Sequence, residues 1–131
     1  MKKTPLKTPT SEFLEVFQAL RAILTKHSAR LNVTKDNDEW FYADMKSKTY
    51  RGKPLCFGGV RLGKNYVSYY LMPVYMNPKL QAMISPALKK HMQGKACFNF
   101  KQINKPLFLE LISITATGLK MFEKIDEVTF G

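Results

Sequence analysis

The residues of this chain that could do acid, base or nucleophilic chemistry are few and far apart. Its two histidines, His27 and His91, each fall near a predicted helix end and outside any HExxH spacing, where an imidazole commonly serves the helix dipole or solvent. Its two cysteines, Cys56 and Cys97, lie in apolar stretches without CxxC spacing, which points to buried thiols rather than to a zinc set or a disulfide framework. The serines Ser11, Ser28, Ser47, Ser68, Ser85 and Ser113 stand in no GxSxG context. Gly58-Gly59 with Gly63 resembles a phosphate loop only superficially, because GxxxxGK[ST] is absent and these glycines fall in or beside strands, where close packing or a bulge accounts for them. The acidic groups gather as Asp36, Asp38 and Glu39 in a connection and as Glu123, Asp126 and Glu127 near the end. The sequence therefore predicts no catalytic residue, no metal ligand and no cofactor, and it leans away from an enzyme, leaving one of unrecognised type as the last alternative.

The charge pattern carries more. Between Asp44 and Glu110 there is no acidic residue, while twelve Lys/Arg fall in the same 65 residues. Residues 1–44 sum to +1 and residues 110–131 to −2, so the stretch between them supplies +12 of the net +11. Half the chain thus offers no carboxylate to a metal or a proton relay and presents a positive potential to anions. The ligand classes this favours are anionic small molecules and nucleic acid.

At 131 residues with 45% hydrophobic content, the chain has the size of one domain, which buries roughly two thirds of its unfolded surface and folds without disulfides. No apolar run approaches the ~20 residues of a membrane span, so no membrane partner is expected. With unpaired cysteines and no signal-peptide core after Lys2-Lys3, the expected compartment is the cytoplasm.

The elements that must position these residues follow from periodicity. Residues 1–9, rich in Lys, Thr and Pro, read as a flexible tail, 10–123 as a single domain and 124–131 as a second tail. Phe13, Val16, Phe17, Leu20 and Leu24 form the stripe of an amphipathic helix whose carboxyl end suits Lys26 and Arg30. The polar run 34–39 reads as a connection. From Trp40 the period changes to two, giving strands over 40–45, 55–62 and 66–72, the last two joined by Gly63-Lys64-Asn65. Asn77-Pro78 and Ser85-Pro86 start one bent helix or two short ones over 78–92. A fourth strand spans 95–101, and a helix opened by Pro106 runs to about Phe122, burying Phe108, Leu111, Ile112, Thr115, Leu119 and Phe122. The expected fold is α+β: a four-stranded, mainly antiparallel sheet with flanking helices in the order α-β-β-β-α-α-β-α, the first and last helices on a common face.

Alternation then divides the sheet. Phe41, Ala43, Met45, Cys56, Val60, Leu62, Val67, Tyr69, Leu71, Ala96, Phe98 and Phe100 fall on the helix-covered side. Trp40, Tyr42, Phe57, Arg61, Tyr66, Tyr70, Lys95, Asn99 and Lys101 fall on the other. That second face is aromatic and basic together, and rings flanked by Lys/Arg suit the stacking of bases or other flat anions. Trp40, Tyr42, Arg61, Tyr66, Tyr70, Lys95 and Lys101 are therefore the candidate ligand or interface residues, with a second copy of the chain in a homodimer as the competing occupant.

Two stretches, Gly52 to Leu80 (GKPLCFGGVRLGKNYVSYYLMPVYMNPKL) and Met92 to Phe122 (MQGKACFNFKQINKPLFLELISITATGLKMF), resemble the YdhG-like family of bacterial domains of unknown function. The similar features are a Gly-Lys hairpin, a strand leaving through Met-Pro-Val-Tyr, an Asn-Pro helix start, and Gly-Lys-x-Cys leading into a terminal helix opened by proline. The resemblance implies a small α+β sandwich like that of frataxin and, from one branch of the family, an intracellular iron chaperone. Iron delivery of that kind needs clustered oxygen ligands; the first helix offers Glu12 and Glu15, and otherwise Asp36, Asp38, Glu39 and Asp44 are the plausible set. The function expected from the residues themselves is a non-enzymatic binding or adaptor domain for an anionic, partly aromatic ligand.

Overall fold

A computed structural model describes residues 11–124. The tails assigned to 1–9 and 124–131 lie outside these residues, apart from Lys124. Six strands form one sheet, where the sequence predicts four: β1 (Leu31–Asp36), β2 (Trp40–Tyr50), β3 (Lys53–Leu62), β4 (Val67–Leu71), β5 (Met92–Gln93) and β6 (Cys97–Phe100). The spatial order is β1-β2-β3-β4-β6-β5, and every neighbouring pair is antiparallel. The two unpredicted strands are the edges. In β1 only Leu31 is buried, so no alternation marks it, and β5 is two residues long.

Five helices accompany the sheet: α1 (Ser11–Thr25), α2 (Met72–Met76), α3 (Pro78–Met83), α4 (Pro86–Lys89) and α5 (Lys105–Glu123). The stretch read as 78–92 is two short helices, and α2 begins where the third predicted strand was to end. Asn77, Ser85 and Asn104 each cap a helix that opens with proline, their side chains accepting the backbone N–H of Lys79, Leu88 and Leu107. The Glu110 carboxylate accepts both the N–H and the hydroxyl of Ser85 at 2.7 Å, pinning α4 to α5. The first helix stops at Thr25. Arg30, expected at its end, lies in the 3-10 turn Ser28–Arg30 and pairs with Glu123 at the end of α5.

α1 and α5 pack together on one face of the sheet. There Val16, Phe17, Leu20, Leu24, Phe41, Val60, Tyr69, Phe98, Leu111 and Phe122 form the buried core. The fully buried Tyr69 hydroxyl meets the fully buried Thr115 hydroxyl at 2.7 Å. Gly118 admits the close approach of α2 to α5, since a Cβ there would stand 2.9 Å from Cβ and 3.1 Å from Cγ of Pro73.

Within the strands, the predicted division of the sheet fails at Cys56 and Phe57. The register runs Ala43 opposite Gly58 but Asp44 opposite Cys56, so Phe57 is an extra residue on β3. Such a bulge reverses the alternation beyond it. Phe57 is fully buried against Phe122, their rings 6.4 Å apart, and Cys56 turns to the opposite face.

Candidate ligand-binding face

The sheet face away from the core is built in transverse rows. One row reads Trp40, Arg61, Ser68, Asn99, and the next reads Lys35, Tyr42, Gly59, Tyr70, Cys97, Gln93. A third carries Asn32, Asp44 and Cys56. Antiparallel pairing sets such rows about 5 Å apart between strands, so Tyr42 and Tyr70 stand two strand spacings apart with Gly59 between them. A Cβ at Gly59 would lie 2.7 Å from the Phe41 carbonyl oxygen and 3.0 Å from Tyr42 Cδ1. Only glycine fits there, and it leaves a depression of about 370 Å³ lined by Trp40, Tyr42, Gly59, Arg61, Ser68, Tyr70 and Cys97.

One end of the depression is cationic. Lys35 Nζ lies 4.6 Å and the Arg61 guanidinium carbon 4.9 Å from the centre of the Trp40 ring. Both cations are held by attraction to the indole π-system and remain exposed. Across β4, β6 and β5 runs a chain of polar side chains: the Ser68 hydroxyl donates to Asn99 Oδ1 at 2.7 Å, and the Asn99 amide donates to Gln93 Oε1 at 2.9 Å. The other end carries acidic groups whose ionisation burial disfavours. Burial, with a hydrogen bond to Cys56 and the nearby Asp44, pushes the Tyr42 phenol up, and burial pushes the Cys56 thiol up to about 11. Burial also raises Asp44, Tyr70 and Cys97. The face thus has an apolar, aromatic floor that resists its own negative charge and a cationic margin at Lys35 and Arg61.

Of the seven residues predicted for this face, the structure brings four together: Trp40, Tyr42, Arg61 and Tyr70. Tyr66 and Lys101 line a separate groove of about 290 Å³ with His91 and Asn104, where the Tyr66 hydroxyl donates to Gln93 at 3.4 Å. Lys95 lies exposed in the turn between β5 and β6. β6 covers only Cys97–Phe100, and the turn at Gly94, with its φ of 74°, reverses the chain just before Lys95; alternation therefore places neither Lys95 nor Lys101. Phe57 leaves the face through the bulge. Lys35 was missed because its run reads as a polar connection, and Cys56 because the bulge inverts its side; the Gly58-Gly59 pair beside it is the one sequence signal of that irregularity.

His91 Nδ1 sits 2.9 Å from the Asn99 carbonyl oxygen, with its ring stacked on Phe100. His27 is lowered by burial and by Arg30 and Lys26. The carboxylates considered for iron do not converge. Asp36 is held by Arg21 at 2.6 Å, Asp38 and Glu39 are exposed at the β1–β2 turn, and Asp44 lies further along β2. Among the described residues no group of three or more His, Cys, Asp or Glu is placed to hold a metal ion, and no helix is long and apolar enough to cross a membrane.

Comparison with protein-family models, curated proteins and solved structures finds no match for this chain.

Proposed function

We propose that the protein is a non-enzymatic binding domain whose exposed sheet face takes the nucleotide units of a single-stranded nucleic acid. The observation that carries this reading is the glycine-floored depression between Tyr42 and Tyr70, with Lys35 and Arg61 drawn together over Trp40 at its margin. A flat base laid on the tyrosines replaces water over apolar surface, while its phosphate reaches Lys35 and Arg61. Stacking of this kind contributes ~1–3 kcal/mol per base and tolerates any sequence. The acid-free stretch between Asp44 and Glu110 supports the same ligand, since its field draws in a polyanion and little in the field repels one. The YdhG-like resemblance suggests iron delivery instead, but the dispersed carboxylates and the net charge of +11 do not favour a cation.

Trp40 is the single tryptophan of the chain, so its emission reports on this face alone. Titration with a short single-stranded oligonucleotide should change that emission, weaken steeply as salt is raised, and weaken further in Arg61→Gln. Unchanged Trp40 emission, or binding indifferent to salt, would count against the reading. Dimerisation that is abolished by Tyr70→Ser, in the absence of nucleic acid, would assign the face to a second copy of the chain. Calorimetry with ferrous iron showing a stoichiometric, submicromolar site would restore the cation reading.

A further inference from the structure

A second cavity lies elsewhere, at the end of the sheet where the β2–β3 hairpin meets α2, with a volume of about 670 Å³. That is within the range of roughly 300–1,000 Å³ typical of small-molecule sites. Its walls are Leu55 and Pro54 of β3 on one side and Met72 and Met76 of α2 on the other, with Tyr75 at the lip. Tyr75 is 53% exposed, a large aromatic ring left facing water. Unbranched thioether side chains fill space adaptably, so the two methionines suit a flexible chain better than a rigid ring system.

The mouth is cationic. Arg51 and Lys53 both line it, and neither forms an ion pair among the described residues. The stretch between Asp44 and Glu110, which supplies every residue of the lining, holds no carboxylate of its own. Arg51 holds a backbone φ of 54°, and Gly52 beside it a φ of 79°. Positive φ at both central residues is what a two-residue type I′ hairpin turn requires, and Tyr50 pairs with Lys53 across it. Tyr50 supports the Arg51 guanidinium, whose carbon lies 5.2 Å from the ring centre.

We infer that this cavity binds a medium-chain alkyl carboxylate, its chain between Leu55, Met72 and Met76 and its carboxylate gripped by Arg51 with Lys53 as second cation. An arginine fork matches the two carboxylate oxygens, and burying the chain supplies the apolar part of the affinity. The site is separate from the aromatic face in every lining residue but Cys56, so this inference stands or falls independently of nucleic-acid binding.

The test uses the full chain labelled at its methionine methyl groups and titrated with decanoate below its micelle concentration. The Met72 and Met76 resonances should shift and saturate, while Met83, exposed outside the cavity, should not. Decanol, the same chain without the charge, should bind at least about tenfold more weakly, and Arg51→Gln should weaken decanoate by a similar factor, the loss of a charge-assisted pair. Unmoved Met72 and Met76 at millimolar decanoate would overturn the inference. So would decanol binding as well as decanoate, or an Arg51→Gln protein that binds decanoate as well as the parent.

Discussion

Replacing Thr115 by Val should destabilise the protein more than replacing Tyr69 by Phe, and making both changes should cost less than Thr115→Val alone. The two hydroxyls share one hydrogen bond of 2.7 Å in a region with no solvent access. Val keeps the shape of Thr but strands the Tyr69 hydroxyl, whose partner among the described residues is Thr115; an unsatisfied buried donor costs about 1–3 kcal/mol. Tyr69→Phe strands a hydroxyl with an alternative, because a helical threonine can turn to the carbonyl four residues back, here Leu111. Its cost should stay near that of one ordinary hydrogen bond, about 0.5–1.5 kcal/mol. In the double variant no polar group is left without a partner, which brings the cost towards neutral. Urea unfolding followed by Trp40 emission and by circular dichroism gives each value. With a slope of about 1–3 kcal/mol per molar, Thr115→Val should lower the midpoint by about 1 M. Single costs that simply add in the double variant would refute the reasoning, for the hydroxyls would then act independently.

Alkaline pH should destabilise the fold through Cys56. Burial raises its thiol from 9.0 to about 11 in the fold, so its contribution is whole below 9.0, is lost as pH rises through about 11, and should shrink in Cys56→Ala when denaturation midpoints are compared across that window. Asp44→Asn should raise the urea midpoint at neutral pH, because burial raises the Asp44 carboxyl above its ordinary 3.8 and so disfavours its ionised form; the gain should vanish in acid, where both folded and unfolded chains carry the proton. Gly118→Ala should lower the melting temperature, since a methyl 2.9 Å from the rigid Pro73 ring costs about 1–3 kcal/mol of overpacking against about 1 kcal/mol of helix propensity gained. A rise in melting temperature would mean that α2 gives way.

The parts of the fold legible in sequence are those where burial and period coincide. α5 shows its stripe because Phe108, Leu111, Thr115, Leu119 and Phe122 are all buried, though Ile112, expected with them, is half-buried and Ile114 is buried instead, and the three helices opened by a capping residue and proline announce their own starts. β1 is invisible for the opposite reason: an edge strand with one buried residue gives hydrophobic alternation nothing to act on, and its pairing with β2 is a property of backbone alone. α2 is hidden by its length, since five residues after a strand carry no period, and only Pro73 hints at a change of direction. The cavity at the hairpin end was unreadable because it joins residues from β3 and α2 that no spacing rule relates.

The bulge at Phe57 is the step where reading by alternation and reading by packing part, and it organises the outer face as much as the core. Without the extra residue, Cys56 would point under α5 and Phe57 into the open. With it, Phe57 closes the core against Phe122, and Cys56 is turned to hydrogen-bond Tyr42 and to line the cavity beside α2. One inserted residue therefore gives α5 an aromatic partner and gives the far end of the face a hydrogen-bonded thiol and phenol whose ionisation burial disfavours. The two effects are inseparable, because a side chain cannot be moved out of the core by one position in a strand without moving its neighbour in. The packing of the core and the Cys56–Tyr42 contact on the face are accordingly set by the same local geometry, and a change that removed the bulge should disturb both at once.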